Sequence, residues 1–204
     1  MRKICLTVLL ATGLLTPADA RAQVAWDSPL LLPPRPQPGL GIFLADMEAG
    51  GLGVLGTWRS TTWNYGLRFG LSEGRGDEDL GVFGGVDYLG PIHTASSDFP
   101  LDVDWVLGAG LGIGDGVRLS VPLGLTLGLS FQGEDARFVP YFTPRVIMDA
   151  LFGNETRDSD LDLEFAVDLG LDLRLLRAGP LAGKSIRFGA SLGDRDALAV
   201  GIVF

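Results

Sequence analysis

The chain has one cysteine, one histidine and two lysines in 204 residues. A lone cysteine, Cys5, forms no internal disulfide, and it lies in a stretch expected to be removed. A lone histidine, His93, assembles no histidine metal cluster and would need a nearby serine to work as a base. After residue 22 no unbroken apolar run approaches the roughly 20 residues of a transmembrane helix. No segment of useful length carries helical periodicity. Positive charge is scarce too. Without the first 22 residues, about 13 basic side chains face about 24 acidic ones, a net charge near −11. Phosphate recognition needs a basic face, so nucleic acid is excluded as a partner.

What is present begins with a targeting pattern. Arg2 and Lys3 precede the apolar run Cys5 to Leu15, followed by the small-x-small triplets Ala18-Asp19-Ala20 and Ala20-Arg21-Ala22. This predicts a signal peptide over residues 1–22, cut after Ala22, with Ala20 as the alternative. The apolar run is too short to span a bilayer. Cys5 stands at the start of the run, whereas a lipid-anchoring cysteine would stand at its end. Residues 23–38 are proline-dense and read as an irregular, extended N-terminal leader.

Residues 39–204 alternate. From Val117 to Phe131 the odd positions are all leucine, valine or phenylalanine, and the even ones are small, polar or proline. Leu161 to Leu173 repeats the pattern with aspartate and glutamate between the apolar residues. A period of two is the mark of a strand with two unlike faces. Ten such strands are read, at 39–46, 52–59, 62–72, 79–89, 100–113, 116–131, 137–150, 160–175, 184–193 and 196–204. The short glycine-rich links, such as the Gly114-Asp115-Gly116 turn, the Gly153-Asn154 turn and the Gly74 to Asp79 stretch, make neighbours antiparallel. Eight strands is the alternative, if the first hairpin is outside the wall.

The make-up of the two faces sets their direction. The face opposite the leucines is glycine, alanine, serine and threonine with scattered charges, for example Gly108, Gly110 and Gly112 on one strand. A soluble surface would carry lysine, glutamate and glutamine instead. Small residues suit a narrow lumen, and leucine for whole strand lengths suits lipid. The fold class expected is therefore all-β: a closed antiparallel up-and-down transmembrane β-barrel. Closure is required because an open sheet edge in hydrocarbon leaves its amides unpaired. With strands alternating up and down from a periplasmic start, the aromatics Trp58, Trp63, Tyr65, Tyr88, Trp105, Phe131, Phe138, Phe188 and Phe204 fall near one level. That is the arrangement of an interfacial girdle.

The last strand, with Leu198, Val200, Ile202 and the terminal Phe204, resembles the C-terminal strand of small outer membrane β-barrel proteins of Gram-negative bacteria. The resemblance covers residues 39–204 as a pattern. It implies an integral outer membrane location in the Gram-negative envelope, both termini periplasmic, with outer membrane lipid and the barrel assembly machinery as partners. It does not imply one activity.

The inward positions hold Arg68, Arg145 and Asp168 near mid-height. Arg118, Asp149, Asp162 and Glu164 lie toward the outer rim. Asp87, Asp102, Asp104, Asp172, Arg174 and Arg187 lie toward the periplasm, and Arg59 is inward too. Barrels of about eight strands are filled by side chains and open channels appear near sixteen. A ten-stranded lumen is therefore expected to be largely filled by an Arg/Asp/Glu network, the arginine forks pairing carboxylates. This predicts a structural or weakly conducting, porin-like protein. The alternative is transport of small solutes or apolar molecules through the lumen or a lateral seam. The seam would sit near Pro122, Pro140 and Pro144, where proline predicts a bulge or missing ladder bonds. An envelope enzyme ranks lower: His93 falls in the Gly90 to Phe99 connection with only Ser96, Ser97 and Asp98 nearby in sequence. No cofactor, metal or catalytic set is assigned. The Gly108 to Gly116 run imitates a dinucleotide fingerprint but leads into a strand, where a helix N-terminus would be needed. Short outer turns disfavour a receptor or adhesin.

Overall fold

The computed structural model describes residues 25–47, 51–73, 80–114, 116–152, 160–177 and 179–204. Strands β1 (Gly39–Met47), β2 (Gly51–Arg59), β3 (Tyr65–Ser72), β4 (Gly81–His93), β5 (Leu101–Ile113) and β6 (Val117–Leu129) follow one another in the chain. The two-residue β7 (Phe131–Gln132), β8 (Ala136–Phe152), β9 (Asp160–Leu175), β10 (Ser185–Gly193) and β11 (Ala197–Val203) complete the set. Each long strand pairs antiparallel with its chain neighbour, β11 pairs with β1, and β6 pairs with β8. The result is a closed ten-stranded barrel, with β7 continuing the line of β6 beyond Ser130 and pairing Phe131 with Phe138. The first hairpin belongs to the wall, so the eight-strand alternative does not apply. The expected targeting segment at 1–22 and the turns at 74–79 and 153–154 lie outside the described residues, as does Asp115.

The alternation in sequence becomes an inside and an outside. On β6, Leu123 and Leu125 are 55% and 44% exposed, while Ser120 and Thr126, between apolar neighbours, are fully buried. Leu161, Leu163 and Phe165 of β9 face outward, and Ala166 and Asp168 face in. The apolar side chains therefore line the outer wall, and the buried positions carry arginine and aspartate beside Phe43, Leu55, Phe83 and Ile147.

One feature of the wall departs from the sequence reading. β4 runs on to His93 through part of the stretch expected to be a connection, with a register shift between Pro91 and His93. At Pro122 and Pro144 the pairing is interrupted, one of the two outcomes expected there, without a register shift. Between β5 and β6 it skips from Leu107–Leu123 to Gly110–Ser120, and between β6 and β8 from Gly124–Arg145 to Leu127–Phe142. Pro122 lies opposite Gly108 in the first gap, and Pro144 opposite Leu125 in the second. Proline has no N–H to give a ladder, which accounts for both.

Residues 25–38 do not lie outside the wall. They run down the lumen with no regular secondary structure, and Ala25 through Pro34 are all buried. Trp26 sits beside Ser120 and Gly110, near the rim where β5 turns into β6. Gln37 bonds Gly183 and Ser185 at the opposite rim. The chain then enters β1 at Gly39, whose φ of +126° is a conformation open to glycine and whose absent Cβ would strike the Phe204 carbonyl oxygen. Gly39 and Phe204 thus share one end of the barrel, and Ala25 lies toward the other.

Candidate functional site

The lumen is the one place in the described residues where charge, burial and geometry converge. Its centre is Arg145 on β8. The guanidinium pairs with Asp27 of the N-terminal segment and with Asp168 on β9 (Nε to Oδ2, 2.6 Å), and donates to the Ser191 hydroxyl on β10 at 3.2 Å. All three charged side chains are buried. A second oxygen of Asp168 accepts the backbone N–H of Leu30 at 3.2 Å. One β9 carboxylate therefore ties a wall arginine to the segment's main chain.

The wall reaches the segment mainly through its backbone. Arg68 on β3 donates to the carbonyl oxygens of Pro29 (2.6 Å) and Leu30. Arg187 on β10 donates to the Leu31 carbonyl at 3.0 Å, while its other nitrogens pair with Asp172 on β9. Thr126 on β6 donates to the Leu32 carbonyl at 2.9 Å. Asp104 on β5 accepts the Arg35 N–H at 3.1 Å. A backbone without secondary structure must find partners elsewhere when buried, and here the lumen supplies them.

Side-chain packing completes the fit. The Trp26 indole lies where side chains on Gly85, Gly108 and Gly110 would be, and its Nε1–H bonds the Ser120 carbonyl at 3.1 Å. The glycine positions on β4 and β5 therefore leave room for a tryptophan. Leu30 and Leu32 pack with Leu89 and Val106, and Leu31 lies against Gly189. Pro34 rests on Gly128. Near Leu31, Leu32 and Gln37 a residual cavity of only about 20 Å³ remains, about the room of one water molecule.

Two outlying clusters frame this core. Near the Ala25 end, Arg195 pairs with Asp149 and with Glu164 (Nε to Oε2, 2.9 Å), and Arg118 lies 3.5 Å from Asp149. Near the Gly39 end, Arg59 pairs with Asp87, and Arg35 lies 3.4 Å from Asp102. Of the charges read from sequence as inward, Arg68, Asp87, Asp102, Asp104, Arg145, Asp149, Asp168, Asp172 and Arg187 are buried, Arg59, Arg118, Glu164 and Arg174 are half-buried, and Asp162 is exposed. What the sequence reading missed is the other half of the site, Trp26, Asp27, the Pro29–Leu32 backbone and Arg35, together with Arg195. Arg195 sits in the β10–β11 turn, where alternation gives no direction.

The aromatic set lies on the outer wall near the Gly39 end. Trp58 and Tyr65 have ring centroids 5.9 Å apart, and Tyr88 and Trp105 are 5.2 Å apart. Trp58, Trp63, Tyr88, Phe131, Phe138 and Phe204 are exposed; Tyr65 and Trp105 are half-buried. His93 is the last residue of β4, contacts the Phe99 ring edge-on at 5.0 Å and lies 3.4 Å from the Phe99 carbonyl. No metal-binding group of acidic, histidine or cysteine residues occurs among the described residues. Comparison of the chain with protein-family models, with curated proteins and with solved structures found no match.

Proposed function

We propose that this chain is an exported outer membrane β-barrel with a structural or weakly conducting role, its lumen closed by its own N-terminal segment. The observation that carries the membrane part is the inversion of the wall. Leu161, Leu198 and Leu52 are 72%, 61% and 60% exposed, while Arg145 and Asp168 are 4% and 2% exposed. A water-soluble monomer rarely exposes an apolar patch larger than a few hundred Å². Here the exposed leucine, valine and phenylalanine side chains occur on every long strand. A shallow apolar depression of about 690 Å³, bordered by Leu44, Leu52, Leu169, Phe188, Leu198 and Val200, belongs to the same outer surface. The aromatics gathered near the Gly39 end suit one bilayer interface. In this reading residues 1–22 direct export, and the strand ending at Phe204 engages the assembly machinery.

The closed-lumen part rests on the buried segment and its pairing with Arg145, Arg68 and Arg187. Fractionation of a Gram-negative host expressing the full chain tests the location: the protein is expected with outer membranes and resistant to alkaline wash. Recovery in a soluble fraction overturns the membrane reading. Planar bilayers test the lumen: large, reproducible porin-like steps from the intact protein overturn its closure.

A second reading, transport through a lateral seam, has the interrupted β5–β6–β8 pairing in its favour. Against it, the Thr143 hydroxyl donates to the Thr126 hydroxyl at 2.9 Å across the β6–β8 gap, and Thr126 in turn holds Leu32. Solute uptake by vesicles that is abolished by a disulfide across this seam would favour transport.

A further inference from the structure

We infer that the lumen is a peptide-binding tunnel whose resident ligand, residues 25–38, is merely tethered. The tunnel takes in trans a peptide with an aromatic–acidic head and an apolar tail. The inference rests on the plugged lumen of the preceding proposal but not on a membrane location.

The segment meets the wall as a ligand meets a receptor. It has no regular secondary structure of its own and joins the barrel covalently only at Gly39. Over residues 29–35, six wall-to-segment hydrogen bonds go to main-chain atoms. Arg68 takes two carbonyls, Arg187 and Thr126 one each, and Asp168 and Asp104 each accept an N–H. Main-chain atoms are common to all peptides, so this part of the tunnel reads backbone shape, with Leu31 and Arg35 held at φ of +52° and +50°, more than side-chain identity. Sequence is read at the head. The Trp26 indole fills the space above Gly85, Gly108 and Gly110, and the Asp27 carboxylate meets Arg145 at the barrel's centre. The tail asks only for apolar bulk, since Leu30 and Leu32 contact Leu89 and Val106 without a polar partner for their side chains.

Tethering explains why the resident segment would win. A short flexible link raises the effective concentration of a linked ligand to the millimolar range. A free peptide must therefore meet the tunnel after the link is cut.

The test uses the full chain carrying a protease site inserted between Pro38 and Gly39, both at the exposed end. The protein is folded in detergent micelles, cut, and mixed with a fluorescein-labelled synthetic peptide of residues 25–38. Saturable anisotropy, reversed by excess unlabelled peptide, is the expected result. Peptides with Trp26→Ala or Asp27→Asn should compete at least ~10-fold less well, equivalent to ~1.4 kcal/mol. A peptide with Leu30→Met and Leu32→Met, leaving Leu31 at its φ of +52° unchanged, should compete within about threefold of the native one, by analogy with conservative apolar exchange. Three outcomes overturn the inference. The cut barrel keeps its strand signal in circular dichroism but takes up no peptide; it binds a scrambled peptide equally well; or it unfolds on cutting, which would make the segment part of the core. Failure of the membrane reading looks different: the uncut protein would fold to the same state without detergent or lipid.

Discussion

Asp27 and Arg145 are 118 positions apart in the chain and form an ion pair with no exposed side-chain surface on either partner. Arg145 also holds Asp168, so one buried cation answers two buried carboxylates from two different parts of the structure. Such groups contribute little net stability compared with an apolar filling, because both ions lose their hydration. What they contribute is position: an unpaired partner left inside is costly, so the segment has one acceptable depth in the lumen.

Arg145→Met follows from this. The change leaves Asp27 and Asp168 without their shared cation, and it should cost roughly 3–5 kcal/mol in a reversible urea titration of the folded protein. The double variant Arg145→Met with Asp27→Asn should recover part of that loss. A double-mutant cycle with no coupling would show that the pair does not form.

Trp26→Ala empties the glycine-lined space on β4 and β5. The expected loss is about 3–5 kcal/mol for a buried tryptophan. If the segment then leaves the lumen, single-channel recordings should change from quiet to conducting. An unchanged unfolding midpoint would mean that the indole does not fill this space.

Gly110→Ala attacks the same contact from the wall. A Cβ there would come within 2.6 Å of the Gly84 carbonyl oxygen and would also meet the Trp26 ring. Overpacking of this kind costs about 1–3 kcal/mol. Gly179→Ala serves as a comparison, because nothing lies within 4 Å of its Cβ position, although its φ of +55° carries a small backbone cost. Gly110→Ala should shift tryptophan fluorescence where Gly179→Ala does not.

The membrane proposal predicts a dependence on depth. Leu123 is at the middle of β6 and Leu101 at the first position of β5, both on the outer face. Leu123→Arg should cost about 2–4 kcal/mol in phospholipid vesicles, and Leu101→Arg about 0–1 kcal/mol. Equal and small effects at the two sites would mean that water, not lipid, covers the wall.

The wall was legible because its signal is repetitive. β1, β5 and β9 begin or end within about a residue or two of the alternating runs, and ladder register then fixes which side chains point inward. Arg68, Arg145 and Asp168 could be placed in the lumen by parity alone. The segment that fills that lumen carries no period. Trp26-Asp27 and Leu30-Leu31-Leu32 lie among prolines, and nothing local distinguishes a linker from a ligand. The remaining trace was on the wall: glycines at 85, 108 and 110 face inward on paired strands, more room than a side-chain-filled lumen would leave. Proline acted in one of the two ways expected. At Pro122 and Pro144 it thinned the ladder without shifting register, and the shift fell at Pro91, near the end of β4.

The position of residues 25–38 bears on how such a molecule is built. They leave the ribosome before any strand does, whereas β11, which seals the ring against β1, leaves last. Either the growing sheet curls around a core thread already laid along its axis, or the thread later slides in through an open mouth, dragging a tryptophan past the rim. In the first route a stretch made before every strand serves as the mandrel around which the wall closes, and its sequence is constrained by order of assembly as well as by fit.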